Sequence, residues 1–218
     1  MISENNLSAR LKCIADMVPE GMTLADIGTD HGYIPIVLCA AGKVPKAIAA
    51  DINPGPLEIC REHVRSAELT EKIECRLSDG LDAFVSGEAQ CILIAGMGGD
   101  LIVDILCRGK DITQKTDALV LSPHTHPEKV REYLYRGGYR ITDEDMVRDA
   151  GKYYPVIRAV YDGIIRKTDA AECYFGPVLL KQHHPVLKEY LEKEKHKYDE
   201  IAAYLKLIEK TEDALNGS

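Results

Sequence analysis

Asp26-Ile27-Gly28-Thr29-Asp30-His31-Gly32 closes an apolar run that begins at Thr23, and closes it with two carboxylates and two glycines. A strand that delivers an acid and then Gly-x-Asp into a tight turn lets its backbone approach a ligand closely, because Gly28 has no Cβ in the way. The charges say what kind of ligand. Two carboxylates repel a pyrophosphate, whereas Asp26 or Asp30 can accept from the ammonium group of S-adenosylmethionine. The Gly28-x-Asp30 spacing also departs from the Gly-x-Gly-x-x-Gly of dinucleotide-binding turns. The turn therefore predicts a cationic nucleoside cofactor on a Rossmann-like sheet.

From Thr23 outward, short β-branched runs alternate with helical stretches, the pattern of consecutive βαβ units and a largely parallel sheet. Predicted strands are Thr23–Gly28, Ala47–Ile52, Lys72–Leu77, Ala89–Ala95, Ala118–Ser122, Tyr139–Val147 and Tyr153–Tyr161, each near the common strand length. Apolar residues three and four apart, as in Leu57, Cys60, Val64 and in Leu101, Ile105, predict helices that cover the sheet. Arg148-Asp149-Ala150-Gly151-Lys152 is too short for a helical crossover, so the last two strands form an antiparallel hairpin. A terminal antiparallel strand distinguishes the S-adenosylmethionine methyltransferase sheet from the dinucleotide-binding one. The predicted fold is α/β, a class I methyltransferase sheet of about seven strands with a helical appendage.

Ahead of the sheet, Leu7–Val18 reads as a helix capped by Asn5 or Asn6 and ended by Pro19. Behind it, Pro185 to about Asn216 has no internal Gly or Pro and places Leu187, Leu191, Tyr198, Ile201, Leu205 and Ile208 near heptad spacing. That segment is a long amphipathic helix or a helical hairpin with coiled-coil character. Apolar density drops between Arg166 and Thr168, dividing a cofactor-binding catalytic domain, residues 1–166, from a helical extension, residues 167–218.

Three more segments fall in register with the first turn. Asp51, in Ala49-Ala50-Asp51-Ile52-Asn53, ends the second strand about 20 residues on, where a carboxylate binds ribose hydroxyls. Leu77-Ser78-Asp79-Gly80 puts an acid after the third strand, where it can read an adenine amino group. Ile94-Ala95-Gly96-Met97-Gly98-Gly99-Asp100 follows the fourth, its small residues leaving room for a planar base beside the reacting methyl. Each acid alone is ordinarily a turn or helix cap; their shared register with successive strand ends makes them a site.

Composition bounds the rest. With 218 residues, 45% hydrophobic and 28% charged, the chain has enough apolar residues for a real core. A net charge of −8 excludes a generally basic nucleic-acid binder, so any RNA contact uses a local patch. No run reaches the ~18 apolar residues of a membrane helix and the first residues lack a signal layout, so a cytoplasmic protein without membrane contact is expected, monomeric or weakly dimeric. The seven cysteines form no CxxC pair and are expected as buried free thiols.

Asp-Ile-Gly-Thr-Asp-His-Gly-Tyr-Ile-Pro (26–35), Ala-Gly-Met-Gly-Gly (95–99) and Leu-Ser-Ala-Arg-Leu (7–11) together resemble the bacterial tRNA adenine(22)-N1-methyltransferase family. The resemblance covers essentially the whole chain, including Phe175-Gly176-Pro177 and the tail. It implies methyl transfer from S-adenosyl-L-methionine to N1 of an adenine in the D-arm of tRNA, by a Rossmann domain with a C-terminal coiled coil. It implies a cofactor role for Gly28, Asp51, Asp79, Gly80, Gly96 and Met97, which Asp26 and Ile52 join by position, and places Asp30, His31 and Tyr33 on the methyl-acceptor side. Arg10 either reaches the cofactor carboxylate or lies on a solvated helix face.

Gly98, Gly99, His124, Arg148 and Lys152 are the candidate substrate contacts, with Lys129, Arg131, Arg136, Arg140 and Arg158 as further candidate cations for RNA. His124, in Ser122-Pro123-His124, departs from the family's usual amide. One imidazole nitrogen reads an adenine edge less completely than a carboxamide. His124 and His126 have no third metal ligand near them in sequence, and no metal is expected. Three other readings stay open: a nicotinamide oxidoreductase, a methyltransferase for another RNA, small molecule or protein, and a non-catalytic RNA-binding or assembly protein.

Overall fold

The computed structural model describes residues 7–216. Elements follow in the order α1 (Ala9–Met17), β1 (Leu24–Ile27), α2 (Tyr33–Ala40), β2 (Ala47–Asp51), α3 (Pro54–Ser66), β3 (Ile73–Leu77), β4 (Cys91–Gly98), α4 (Gly99–Arg108) and α5 (Lys110–Thr113). Then come β5 (Ala118–Thr125), α6 (Pro127–Arg136), β6 (Tyr139–Asp149), β7 (Lys152–Tyr161), α7 (Ala170–Phe175), α8 (Pro177–Lys181) and α9 (Pro185–Asn216). The strands form one seven-stranded sheet ordered β3-β2-β1-β4-β5-β7-β6. All pairs through β4–β5 are parallel, and β7 is antiparallel to both β5 and β6. This is the methyltransferase sheet expected from the short β6–β7 connection.

β1 and β2 are buried along their whole length, which is why Leu-Ala-Asp-Ile and Ala-Ile-Ala-Ala-Asp read as continuous apolar runs rather than alternating ones. Successive β1 residues still face opposite layers: Leu24 packs with Ile14, Ile36 and Leu93, while Ala25 and Ile27 pack with Ile94, Ile102 and Leu106. Reversal at the strand order 2-1-4 opens a crevice at the carboxyl ends of β1 and β4. Ligands of open α/β sheets bind in such crevices.

Several local expectations are corrected. Ser8, not Asn5 or Asn6, caps α1, its hydroxyl accepting from the Leu11 amide; the two asparagines lie outside the described residues. On α4 the buried stripe is Ile102, Ile105 and Leu106, and Leu101 is exposed. The hairpin connection shrinks to Ala150-Gly151, both with positive φ (47° and 78°), as a two-residue turn matched to strand twist requires. All seven cysteines are free, but Cys107 is exposed and Cys75 half-buried.

Arg131 was expected among the RNA-facing cations and is instead 1% exposed. Its Nε donates to Glu144 Oε1 at 2.7 Å and its Nη1 to the carbonyls of Cys173 and Tyr174, while Glu144 also accepts from the Val178 amide. The ion pair thus ties α6 and β6 to α7 and α8, and removing one partner of such a pair costs ~3–5 kcal/mol. Met146, Leu179 and Leu187 continue that junction to the start of α9. α9 is one unbroken helix, not a hairpin. Beyond Leu191 its apolar stripe, Tyr198, Ile201, Leu205 and Ile208, is exposed, so no coiled-coil partner covers it among the described residues.

Candidate active site

A cavity of about 580 Å³ opens at the carboxyl ends of β1 to β4, lined by Arg10 and Leu11 from α1, the turn Asp26–Asp30, Tyr33, Asp51–Asn53, Ser78–Gly80, Ala95–Met97 and His124. Four carboxylates, Asp26, Asp30, Asp51 and Asp79, face it against one permanent cation, Arg10. The backbone explains why the cavity exists. Gly28 has φ +69° and its Cβ would run into the Met97 side chain; Gly80 (φ +57°) and Gly96 (φ +80°) are also left-handed. No L side chain fits the first without moving Met97.

Asp26 is 5% exposed and accepts a 2.6 Å hydrogen bond from Thr29 Oγ1. Burial, reinforced by the neighbouring Asp51 and Asp30 carboxylates, pushes its carboxyl up to about 7 in spite of that bond. Such a group lacks a positive charge to face. Asp51, also buried, accepts from the Asn53 amide at 2.8 Å, which closes an Asx-type turn and aims the carboxylate over the strand end. Asp79 is held by Arg108 Nη2 at 3.0 Å. Arg108 also binds Asp82 and Asp104, which do not line the cavity, so one guanidinium ties a cavity-lining acid to two acids outside it. The Asp104/Arg108 spacing of four was a visible signal for part of this; the link to Asp79 was not.

Asp30 stands exposed in the left-handed region (φ 54°), with His31 Nε2 at 3.5 Å from its Oδ1. Tyr33 lines the cavity, and His31 lies behind it with ring centroids 5.9 Å apart and planes at 88°. Gly98 and Gly99 do not line this cavity: Gly98 faces the Thr125 hydroxyl, and a Cβ on Gly99 would strike the His126 carbonyl. Their smallness serves the close passage of β4 beside β5, where the register shifts between Ala95 and Gly98.

His124 closes the other side. Its Nε2 is 2.8 Å from Arg10 Nη1, and because a guanidinium only donates, Nε2 accepts and the ring proton sits on Nδ1. Burial, then the charges of Arg10 and Lys152, hold the imidazolium below its usual range. Tyr154, which the sequence did not single out, supports both: its ring is 5.2 Å from that of His124 and 5.4 Å from the Arg10 guanidinium carbon. His126 turns away to Glu128.

His124 also lines a second cavity of about 1010 Å³ between β5, β7 and α9, which Lys152 shares with Tyr153, Tyr190, Lys193 and Lys197. Arg148 lines neither cavity and donates to Glu189 at 2.8 Å. Of the other candidate RNA cations, Lys129 pairs with Asp100, Arg136 with Glu132, Arg140 with Asp162 and Arg158 with Asp143. Lys152 has no acidic partner among the described residues.

The comparisons with known proteins agree with this geometry. Residues 7–157 match a family model described as a methyltransferase domain. The chain is 37% identical over 203 residues, 89% of its length and 84% of the relative's, to the tRNA (adenine(22)-N(1))-methyltransferase of Bacillus subtilis. The crystal structure of the B. subtilis m1A22 tRNA methyltransferase TrmK superposes with a TM-score of 0.80 at 36% identity, covering 89% of this chain and 85% of that one. M. capricolum TrmK, solved with S-adenosyl-homocysteine, superposes with a TM-score of 0.78 at 30% identity, over 89% and 86%. Joined to an acid-lined cavity at the methyltransferase switch point, these likenesses place the chain in the tRNA (adenine(22)-N(1))-methyltransferase family.

Proposed function

We propose that this protein transfers a methyl group from S-adenosyl-L-methionine to N1 of adenine 22 in the D-arm of tRNA, working in the cytoplasm as a monomer or weak dimer. The observation that carries the reading is the surplus of carboxylates around a glycine-walled cavity: Asp26, Asp30 and Asp51 face it with Arg10 as the one lining cation, while Asp79 is already paired with Arg108. That surplus fits a cofactor with an ammonium and a sulfonium and repels the pyrophosphate of a nicotinamide cofactor. When bound, S-adenosylmethionine supplies an electrophilic methyl group.

The chain's own residues have few proton transfers to perform, because adenine N1 carries an in-plane lone pair. They hold and orient. Asp26 accepts from the cofactor ammonium, Arg10 faces its carboxylate, Asp51 beside Ile52 binds the ribose hydroxyls, and Asp79 with Gly80 reads the adenine. Gly28, Gly96 and Met97 form the walls. On the acceptor side Tyr33 stacks against the target base with His31 behind it. Asp30 stabilises the positive charge that the ring acquires, which is where preorganised electrostatics contributes most. Holding N1 collinear with the methyl and sulfur contributes several kcal/mol more.

His124 offers its Nδ1–H to the acceptor, and Lys152, with Arg148 once it leaves Glu189, meets phosphate. N1 is on the pairing edge, so the target nucleotide leaves its stack before reaction. Residues 1–166 form the catalytic domain and 167–218 the helical extension. A thermal melt tests the cofactor assignment: S-adenosylhomocysteine at 100 times its Kd stabilises by about 2.7 kcal/mol and NAD does not. The reverse outcome would overturn the cofactor assignment.

A further inference from the structure

His63, at the end of α3, does not itself line the cofactor cavity, yet it touches the acceptor loop three ways. Its Nδ1 is 2.9 Å from the backbone carbonyl of His31. A carbonyl only accepts, so His63 donates from Nδ1. Its ring centroid lies 5.7 Å from that of Tyr33 and 6.2 Å from that of His31, closing a triangle of three rings. One turn earlier on the same helix, Cys60 fills the space where a Gly32 side chain would be. α3 therefore grips the loop on both sides of its turn.

The loop needs such a grip. Asp30 occupies the left-handed region, which Asp visits more readily than most residues with a Cβ but less readily than Gly, and its side chain is exposed with a single 3.5 Å contact, to His31, among the described residues. Strained residues of this kind persist where their surroundings over-determine them. The His31 carbonyl is one residue past the strained one, so a donor there fixes the peptide between Asp30 and Tyr33. The His63 imidazole packs on the Tyr33 ring with centroids 5.7 Å apart and planes at 45°, a second contact that restricts the direction of that ring.

We infer that His63 is a positioning residue for methyl transfer: it holds Asp30 and Tyr33 in the acceptor geometry through the His31 carbonyl and the Tyr33 ring, without touching cofactor or base. The inference rests on the assignment of Asp30 and Tyr33 to the acceptor side. A positioning role and a general structural one predict different kinetics, since a misplacement of about 1 Å costs up to 100-fold in turnover.

The test uses His63→Ala, His63→Phe and His63→Asn in the full-length protein, with kcat on tRNA, the KM for tRNA and the Kd of S-adenosylhomocysteine measured for each, and Tyr33→Ala alongside. The expected result is a 10- to 100-fold lower kcat for His63→Ala and His63→Phe, cofactor affinity within twofold of wild type, and recovery of at least a third of the lost activity by His63→Asn, whose amide can donate to the same carbonyl. Full activity of His63→Phe would overturn the inference by showing that only ring volume matters. Parallel losses of kcat and cofactor affinity would overturn it too, marking a fold effect. If Tyr33→Ala itself keeps full turnover, the acceptor-side assignment has failed; if Tyr33→Ala is impaired and the His63 variants are not, only the present inference has.

Discussion

The two ends of the sheet carry opposite electrostatic arrangements. Around β1 and β2, Asp26, Asp30 and Asp51 face a cavity and none has a Lys or Arg partner among the described residues, whereas along β5, β7 and β6 nearly every cation is already matched to an acid. The first end is a preformed field awaiting a positive ligand. The second has neutralised its own charge, which accords with a net charge of −8 on a protein that acts on RNA. Cofactor binding should therefore be electrostatic and precise, and tRNA binding should depend on a few unpaired groups and on shape.

Replacing Asp30 by Ala separates the two ends most sharply. Turnover should fall by about 100-fold, as when a single transition-state partner is lost, with cofactor affinity changed less than threefold. Equal losses in both would move Asp30 to the cofactor side of the comparison. At the cofactor end, Gly28→Ala should weaken S-adenosylhomocysteine binding by 10-fold or more, since the new methyl meets the Met97 side chain at a left-handed position; isothermal titration reads this directly.

Asp26 allows a subtler test, because its buried carboxyl titrates near pH 7. Its folded value is raised above the unfolded one, so the stability it contributes is present below pH 4 and is lost as pH rises through 7. Asp26→Asn should then stabilise the ligand-free protein at pH 8 by on the order of 2 kcal/mol, read in urea melts, while weakening cofactor binding about 10-fold. Wild-type cofactor affinity should fall as pH drops from 8 to 6, because a cation prefers the ionised carboxylate. A flat profile would mean that Asp26 is not the ammonium's partner.

The smallest effect belongs to the RNA end. Lys152→Ala should reduce the salt dependence of tRNA binding by about one phosphate contact, while Arg148→Ala, whose charge is matched by Glu189, should change it less. Equal effects would show that the Arg148–Glu189 pair opens on RNA.

Legibility in the sequence follows the same division. The cofactor end could be read because its carboxylates recur at successive strand ends, a signal local in sequence and tied to strand periodicity; the β6–β7 hairpin was legible because only five residues separate its runs. Most of what escaped depends on contacts between elements that the sequence does not mark as neighbours. Arg10 reaches His124 and Tyr154, and no local pattern marks that meeting. Arg131 sits in a charged, helical context typical of surface residues, and only the distant Glu144 and α7 carbonyls make it a core residue. Ser8 displaced the expected asparagine cap because the helix begins at Ala9, two residues later than the apolar pattern suggested. α9 looks amphipathic along its length, but Leu191 is its last residue in the Met146–Leu179–Leu187 cluster, and Tyr198, Ile201, Leu205 and Ile208 beyond it are exposed.

The central claim is that the acid-lined cavity delivers a methyl group to N1 of a tRNA adenine. Incubating the protein with methyl-labelled S-adenosylmethionine and bulk tRNA, digesting the RNA and weighing its nucleosides tests it most directly. Label is expected in 1-methyladenosine and is lost when adenine 22 of a transcript is replaced by another base. Label confined to protein, to small molecules or to a different nucleoside would contradict it.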